Sequence, residues 1–254
     1  MSLRTSELGM NDQPWKRRSN MPRMGASMTA RLSACILSLV LVGCGSGATE
    51  PRGGAEGEGE HALPPPLLDV SPGDGGHQIA VLAGGCFWSV EAVFEHVRGV
   101  LDVVAGYSGG TAETANYEMV AFAEITDHAE AVEVVFDPTQ VTYGQLLRIF
   151  FSVAHDPTQV DAQDPDYGRH YRSNIFYRND EQRRVAEAYI AQIEALDAFS
   201  SPIATRLDPL DAFYWAEDEH QDFVMKNPQH GYVQLFSIPK VGKLAALFPQ
   251  LYEG

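Results

Sequence analysis

Gln78-Ile79-Ala80-Val81-Leu82-Ala83-Gly84-Gly85-Cys86-Phe87-Trp88-Ser89-Val90-Glu91-Ala92-Val93-Phe94-Glu95-His96-Val97 is the stretch whose reading decides the architecture. Ile79 to Ala83 is a short apolar run, suited to a buried strand. Gly84 and Gly85 turn the chain, after which Phe87, Val90, Phe94 and Val97 recur at helical spacing on one face. The order is strand, turn, helix, with Cys86 at the joint. There its sulfur would meet unpaired backbone N–H groups and the positive end of the helix dipole, an environment that favours thiolate. Sulfur nucleophiles act as the anion, so Cys86 is a candidate nucleophile. Trp88 falls outside the apolar stripe, on the side of Glu91, Ala92 and Glu95, and is expected to wall a small apolar pocket next to the thiol.

Outward from this unit the two hydrophobic periods alternate. Val103 to Ser108 and Ala131 to Phe136 read as strands, the second alternating Val132, Val134 and Phe136 against Ala131, Glu133 and Val135 until Asp137-Pro138 stops it. Leu146, Leu147, Phe150 and Phe151 mark a second helix, and Ile175-Phe176-Tyr177 a further strand. A third helix runs through Ala186, Tyr189, Ile190 and Ile193 and ends near Leu196. Strands alternating with helices, without an internal repeat, imply one α/β or α+β domain from Gln78 to about Phe248, with helices covering a mixed sheet.

Composition narrows the chemistry. A chain of 254 residues with 44% hydrophobic positions and 10% aromatics can build a core, which excludes a collagen-like, coiled-coil or wholly disordered chain. The net charge of −16 argues against a surface that tracks phosphates, so nucleic acid is not an expected partner. Of three cysteines, Cys35 and Cys44 lie near the N-terminus, so Cys86 is the only thiol of the folded part and no disulfide can form within it. His128, His155 and His220 lack zinc-ligand spacing and are read as supporting residues; no metal site is expected. Gly106 to Gly110 lacks the patterns of phosphate loops, so no bound cofactor is expected.

The N-terminus reads as an address. Lys16, Arg17, Arg18, Arg23 and Arg31 precede an apolar run from Leu32 to Gly43, too short for an ordinary spanning helix of about 20 residues. Residues 1–43 are expected to be a signal peptide, with translation starting at Met1, Met21, Met24 or Met28. Leu41-Val42-Gly43-Cys44 resembles the bacterial lipobox, which makes Cys44 the lipidated residue and the exported protein a membrane-anchored lipoprotein. Residues 44–77, rich in Gly, Pro, Glu and Ser, are expected to be a flexible linker, leaving 78–254 as the catalytic domain.

Gly85-Cys86-Phe87-Trp88 resembles the active-site signature of the A-type peptide methionine sulfoxide reductases, and the likeness extends along the folded part. Gly106-Tyr107-Ser108-Gly109-Gly110, Asn116-Tyr117, His128-Ala129-Glu130-Ala131-Val132, Phe136-Asp137-Pro138, His155-Asp156-Pro157-Thr158-Gln159, Asp166, Tyr171-Arg172-Ser173, Ala216-Glu217 and His220-Gln221 follow in order. The resemblance implies an α+β fold, a two-layer ferredoxin-like sandwich with a mixed sheet and covering helices. It also implies reduction of the S epimer of methionine sulfoxide, free or in proteins, as a repair reaction. In its terms Cys86 is the nucleophile, Glu130 the acid that protonates the sulfoxide oxygen, and Tyr117 and Tyr171 the phenols that hydrogen-bond it. Asp166 is an orienting residue near the thiol, and Phe87 and Trp88 enclose the methyl group. The chemistry is coherent: a sulfoxide is a poor electrophile until its oxygen receives a proton or a strong hydrogen bond.

The sequence departs from the pattern in its tail. Many relatives carry a second cysteine after Gly-Tyr; here Gly231-Tyr232 is followed by Val233, and the tail holds Pro239-Lys240 with Leu244, Leu247 and Phe248. Ser89 stands where glycine is usual, and Arg169-His170 where Thr-Gln is common. A sulfenic acid on Cys86 is therefore expected to be resolved by an external thiol, a thioredoxin-like protein or a dithiol, and the domain is expected to be a monomer. Two other readings remain open at this level. One is a Cys-His hydrolase or acyltransferase; the other is a lipoprotein that binds peptides without turnover.

Overall fold

The computed structural model describes residues 61–71, 76–122 and 126–254. The signal-peptide and lipidation readings, Cys44 included, fall outside the described residues. No helix among the described residues is long and apolar enough to cross a membrane.

The quoted stretch forms strand β1 (Gln78–Gly84) and helix α1 (Phe87–Glu95). Strands β2 (Val100–Ser108) and β3 (Ala129–Phe136) follow, then α2 (Tyr143–Ile149), which continues into a π-helical turn at Phe150–Ala154. A small hairpin of β4 (Ala162–Gln163) and β5 (Asp166–Tyr167) precedes β6 (Ser173–Tyr177) and α3 (Asp180–Glu194). Strands β7 (Arg206–Pro209) and β8 (Phe213–Trp215), α4 (Phe223–Lys226) and α5 (Ile238–Leu247) complete the chain. The main sheet has the order β7-β6-β1-β3-β2-β8; β6 and β7 pair in parallel and the other neighbours antiparallel, so it is the mixed sheet expected from the sequence.

Period-2 alternation decides which side chains meet the helices. Leu82, Val103, Ala105, Tyr107, Val132, Val134, Phe136 and Ile175 share the main core with α1 residues Phe87, Val90, Val93 and Phe94, whereas Val81, Ala83, Ala129, Ala131 and Phe176 form a smaller cluster on the opposite face. Glu130 is in phase with Val132 and Val134 and directly opposite Tyr107 across the β2–β3 ladder. A carboxyl is thereby aimed into the helix-covered side of the sheet.

Two sequence expectations need correction. The folded part begins before Gln78: residues 61–71 are docked as a strap, with Val70 buried. Pro64, Pro65 and Pro66 resist helix, and the extended chain leaves carbonyls that accept from Tyr189 Oη (2.9 Å, Pro64) and Gln192 Nε2 (2.9 Å, Pro65). Asp69 accepts from Thr142 Oγ1 at 2.5 Å and from the Gly144 N–H at 2.8 Å, adding acceptors at the N-terminus of α2. The remaining linker residues 44–60 and 72–75 lie outside the described residues. The second correction concerns the side of α1 outside the apolar stripe, which holds Trp88. Glu91 and Ala92 are also buried, because α4 and α5 pack over that side.

Candidate active site

Gly85 has a φ of +87°, and a Cβ there would lie 2.5 Å from the Gln163 side chain, so the strand-to-helix turn requires glycine. Gln163 itself clamps Asp156: its Oε1 accepts from the Asp156 N–H at 2.7 Å and its Nε2 donates to the Asp156 carbonyl at 3.0 Å. The small hairpin bearing Asp166 is thus wedged under the turn that presents Cys86.

Cys86 is the residue preceding the first turn of α1, with 9% of its surface exposed, and is a free thiol. The Phe87 N–H, the nearest helix-terminal donor, goes to Glu130 Oε2 at 3.0 Å. The sulfur is left with the Trp88 N–H and the Tyr232 hydroxyl. Burial and the facing carboxylates of Glu130 and Asp166 outweigh these donors and push the thiol well above its ordinary range. The expectation that the helix N-terminus alone favours thiolate is therefore corrected: the terminus is shared with an acid, and burial dominates.

Glu130 is fully buried on β3, and burial lifts it to about 8, against the lowering effect of the Phe87 N–H. It holds its proton near neutrality, as a general acid requires. Burial, with the charges of Glu130, Cys86 and Asp166, pushes Tyr117 up to about 12 and Tyr171 upward as well, so both remain neutral O–H donors. Tyr117 is held through its backbone: its N–H donates to Glu217 Oε1 at 2.9 Å while Glu217 Oε2 accepts from Tyr107 Oη at 2.8 Å. Tyr171 ends the 3₁₀ turn Arg169–Tyr171, whose carbonyls are organised by Arg172: its guanidinium donates to the carbonyls of Arg169, Asp127 and His128 at 2.9, 2.6 and 3.0 Å.

Phe87 is buried, and the half-buried Trp88 ring forms the outer wall. Its indole stacks on Phe223 with centroids 3.7 Å apart and donates from Nε1 to His220 Nδ1 at 3.2 Å. His220 in turn lies 5.3 Å from Phe87 and 4.3 Å from Tyr117, ring to ring. An aromatic rim is thus closed by residues from three separate parts of the chain. Asp166, half-buried, accepts from Tyr232 Oη at 2.5 Å and is raised by burial, while Tyr232, Lys240 and His170 act in the lowering direction.

The structure therefore brings Cys86, Phe87, Trp88, Glu130, Tyr117, Tyr171 and Asp166 together around the start of α1. Sequence reading assigned no role to Phe223 or to Tyr232, the latter noted only as the neighbour of a missing cysteine. Neither could be placed from periodicity, since both act through contacts between residues far apart in the chain, Phe223 with Trp88 and Tyr232 with Asp166. The histidines have other duties. His155 is held neutral by burial, near 3, between the Phe150 carbonyl and Ser173 Oγ (3.1 and 2.7 Å), and His128 Nε2 meets the Thr111 carbonyl at 3.0 Å. With His220 on Trp88, each of these three histidines has a partner other than the sulfur, unlike a hydrolase base.

Residues 78–250 match the family model described as peptide methionine sulfoxide reductase. The chain is 56% identical over 184 residues to peptide methionine sulfoxide reductase MsrA 2 of Synechocystis sp., which covers 71% of this chain and 86% of that relative. Among solved structures it resembles Mxr1 from Saccharomyces cerevisiae in reduced form, with a TM-score of 0.55 and 31% identity, over 61% of this chain and 87% of that one. Methionine sulfoxide reductase A of Corynebacterium diphtheriae gives a TM-score of 0.52 and 33% identity, over 67% of this chain and 82% of that chain.

Proposed function

The chain belongs to the peptide methionine sulfoxide reductase family, and from that premise we propose that it reduces the S epimer of methionine sulfoxide through a sulfenic acid on Cys86 that an external thiol resolves. The observation that carries this reading is the Phe87 N–H contact that sets a fully buried, proton-holding Glu130 beside the Cys86 turn.

Substrate enters with its methyl group between Phe87 and Trp88, where apolar contact favours a methyl over a charged substituent. The sulfoxide oxygen meets Glu130 and the hydroxyls of Tyr117 and Tyr171, neutral donors that stabilise charge as it develops. Cys86 thiolate attacks the sulfoxide sulfur while Glu130 gives its proton to the oxygen. Net, oxygen passes from substrate to Cys86: thiol plus methionine sulfoxide gives sulfenic acid plus methionine. A reductant thiol then attacks the Cys86 sulfur, forming a mixed disulfide and releasing water, and a second thiol frees Cys86 and leaves as the oxidised disulfide. The reductant falls to an outside molecule because the described residues contain no other cysteine. A thioredoxin-like dithiol protein or a small dithiol has the required chemistry.

The basic segment, the short apolar run and the lipobox-like Leu41-Val42-Gly43-Cys44 support export and lipid anchoring through Cys44, and hence repair of oxidised proteins outside the cytoplasm. The test is a thiol-dependent assay of the full chain on both sulfoxide epimers. Turnover of the S epimer alone, lost in Cys86→Ser, is the expected result; turnover without thiol, or of both epimers alike, overturns the proposal.

A further inference from the structure

The chemistry above needs one negative charge and one proton in a particular arrangement, thiolate on Cys86 and acid on Glu130, although both are acids raised by burial and Glu130 raises Cys86 further. At the start of α1 both groups are given a backbone donor, Glu130 the Phe87 N–H and Cys86 the Trp88 N–H. Ser237, fully buried, is bonded Oγ to Oγ with Ser89 in the first turn of α1 at 2.8 Å, and Tyr232 is bonded to Asp166. These two contacts fix the tail against the end of α1 that carries Cys86. Lys240 stands one helical turn after Ser237 on the same face of α5, and helix side chains lean toward the N-terminus, which directs its stem back toward that contact.

We propose that Lys240 is a positioning residue whose ammonium draws the negative charge of the Cys86–Glu130 pair onto the sulfur and leaves the proton on the carboxyl. The inference rests on the reductase reading and adds a member to its site. The asymmetry is what matters: burial lowers Lys240, Cys86 and Asp166 act on it in the raising direction, and Glu130 is not among the groups that act on it. A cation that stabilises one of two competing anions selects it. The groups facing Cys86 are Glu130 from β3, Asp166 from β5, Tyr117, Tyr171 and Tyr232; apart from Lys240 they are acids or phenols, and none supplies positive charge. Lys240 itself is faced by Lys243 on its own helix and by His155, which burial holds neutral.

The test uses the full chain without any sulfoxide. Carbamidomethylation of Cys86 by iodoacetamide is timed across pH 5 to 10 by mass spectrometry of the Cys86 peptide, so that Cys35 and Cys44 do not contribute. Lys240→Met and Lys240→Gln are expected to lower the rate near pH 7 about tenfold and displace the profile about one unit to higher pH, while Lys240→Arg keeps it. Profiles of Met and Gln variants that superimpose on the parent overturn the proposal, as does an equal displacement in Lys240→Arg, which would mark a packing role. Because alkylation involves no methionine sulfoxide, the result stands apart from the fate of the reductase assignment.

Discussion

The two sides of the Cys86 pocket are built in opposite ways. On the sheet side, Glu130 projects from the start of a strand buried on both faces, is itself fully buried, and is tied to the first N–H of α1. On the tail side, Asp166, Tyr232 and Lys240 come from a two-residue strand, the helical turn before Val233 and a late helix, and are half-buried. The difference teaches a division of labour. The core strand sets the acid's proton affinity by exclusion of water, and the tail sets the charge balance by contacts that can be altered without dismantling the sheet.

The largest effect is expected where the sheet side loses its proton. Glu130→Gln keeps a hydrogen-bond donor but cannot deliver a proton, and kcat should fall by about 10² to 10⁴ in steady-state assays. The pH profile should be bell-shaped: activity falls on the alkaline side as Glu130 ionises near 8, and on the acidic side as the Cys86–Glu130 pair takes up a second proton. A profile that keeps rising through pH 9 would contradict the role of the acid.

The same carboxyl ties stability to pH. Folded Glu130 keeps its proton to about 8, whereas the unfolded chain releases it in the ordinary carboxylate range. Between those values the folded state binds more protons, so its stability declines as pH rises. Relative to the parent, Glu130→Gln should gain up to about 4 kcal/mol between pH 5 and pH 8, read from denaturant melts at both pH values. Equal pH dependence in the two proteins would count against a buried ionising acid at this position.

Smaller effects belong to the periphery. Tyr117→Phe removes one neutral donor from the sulfoxide oxygen and should lower kcat/KM about tenfold with the fold intact, checked on the S epimer. Asp69→Ala removes two hydrogen bonds from the strap to the start of α2 and should cost about 1–2 kcal/mol in a thermal or denaturant melt while leaving kcat unchanged. A change in kcat here would mean that the strap communicates with the pocket.

What could be read from the chain divides along the same line. Local periodicity marked β1, α1, β3 and α3 because each buries a regular face, and the Gly84-Gly85-Cys86 joint announced itself by residue type alone. Periodicity began this strand at Ala131, so Glu130 was picked out by the resemblance and its phase with Val132 and Val134 emerged only with the full strand from Ala129. Phe223 against Trp88, Tyr232 on Asp166 and Ser237 on Ser89 were illegible, since each pairs residues separated by 66 to 148 positions. The strap was misjudged for a related reason: Pro and Gly composition signals loss of regular structure, not loss of contact, and Pro64 to Asp69 are held by acceptors that any extended chain offers. The thiol's ionisation also lay beyond sequence, because it depends on which acceptor receives the Phe87 N–H.

The central claim is that oxygen moves from the substrate to Cys86 and finds no second thiol among the described residues to displace it. It is tested most directly by treating the full chain with one equivalent of the S sulfoxide in the absence of reductant and mapping the peptides by mass spectrometry. The account predicts methionine product with a single added oxygen on Cys86, trapped by dimedone and lost on adding a dithiol. Product formed with Cys86 unmodified, or with Cys86 in an internal disulfide, would contradict it.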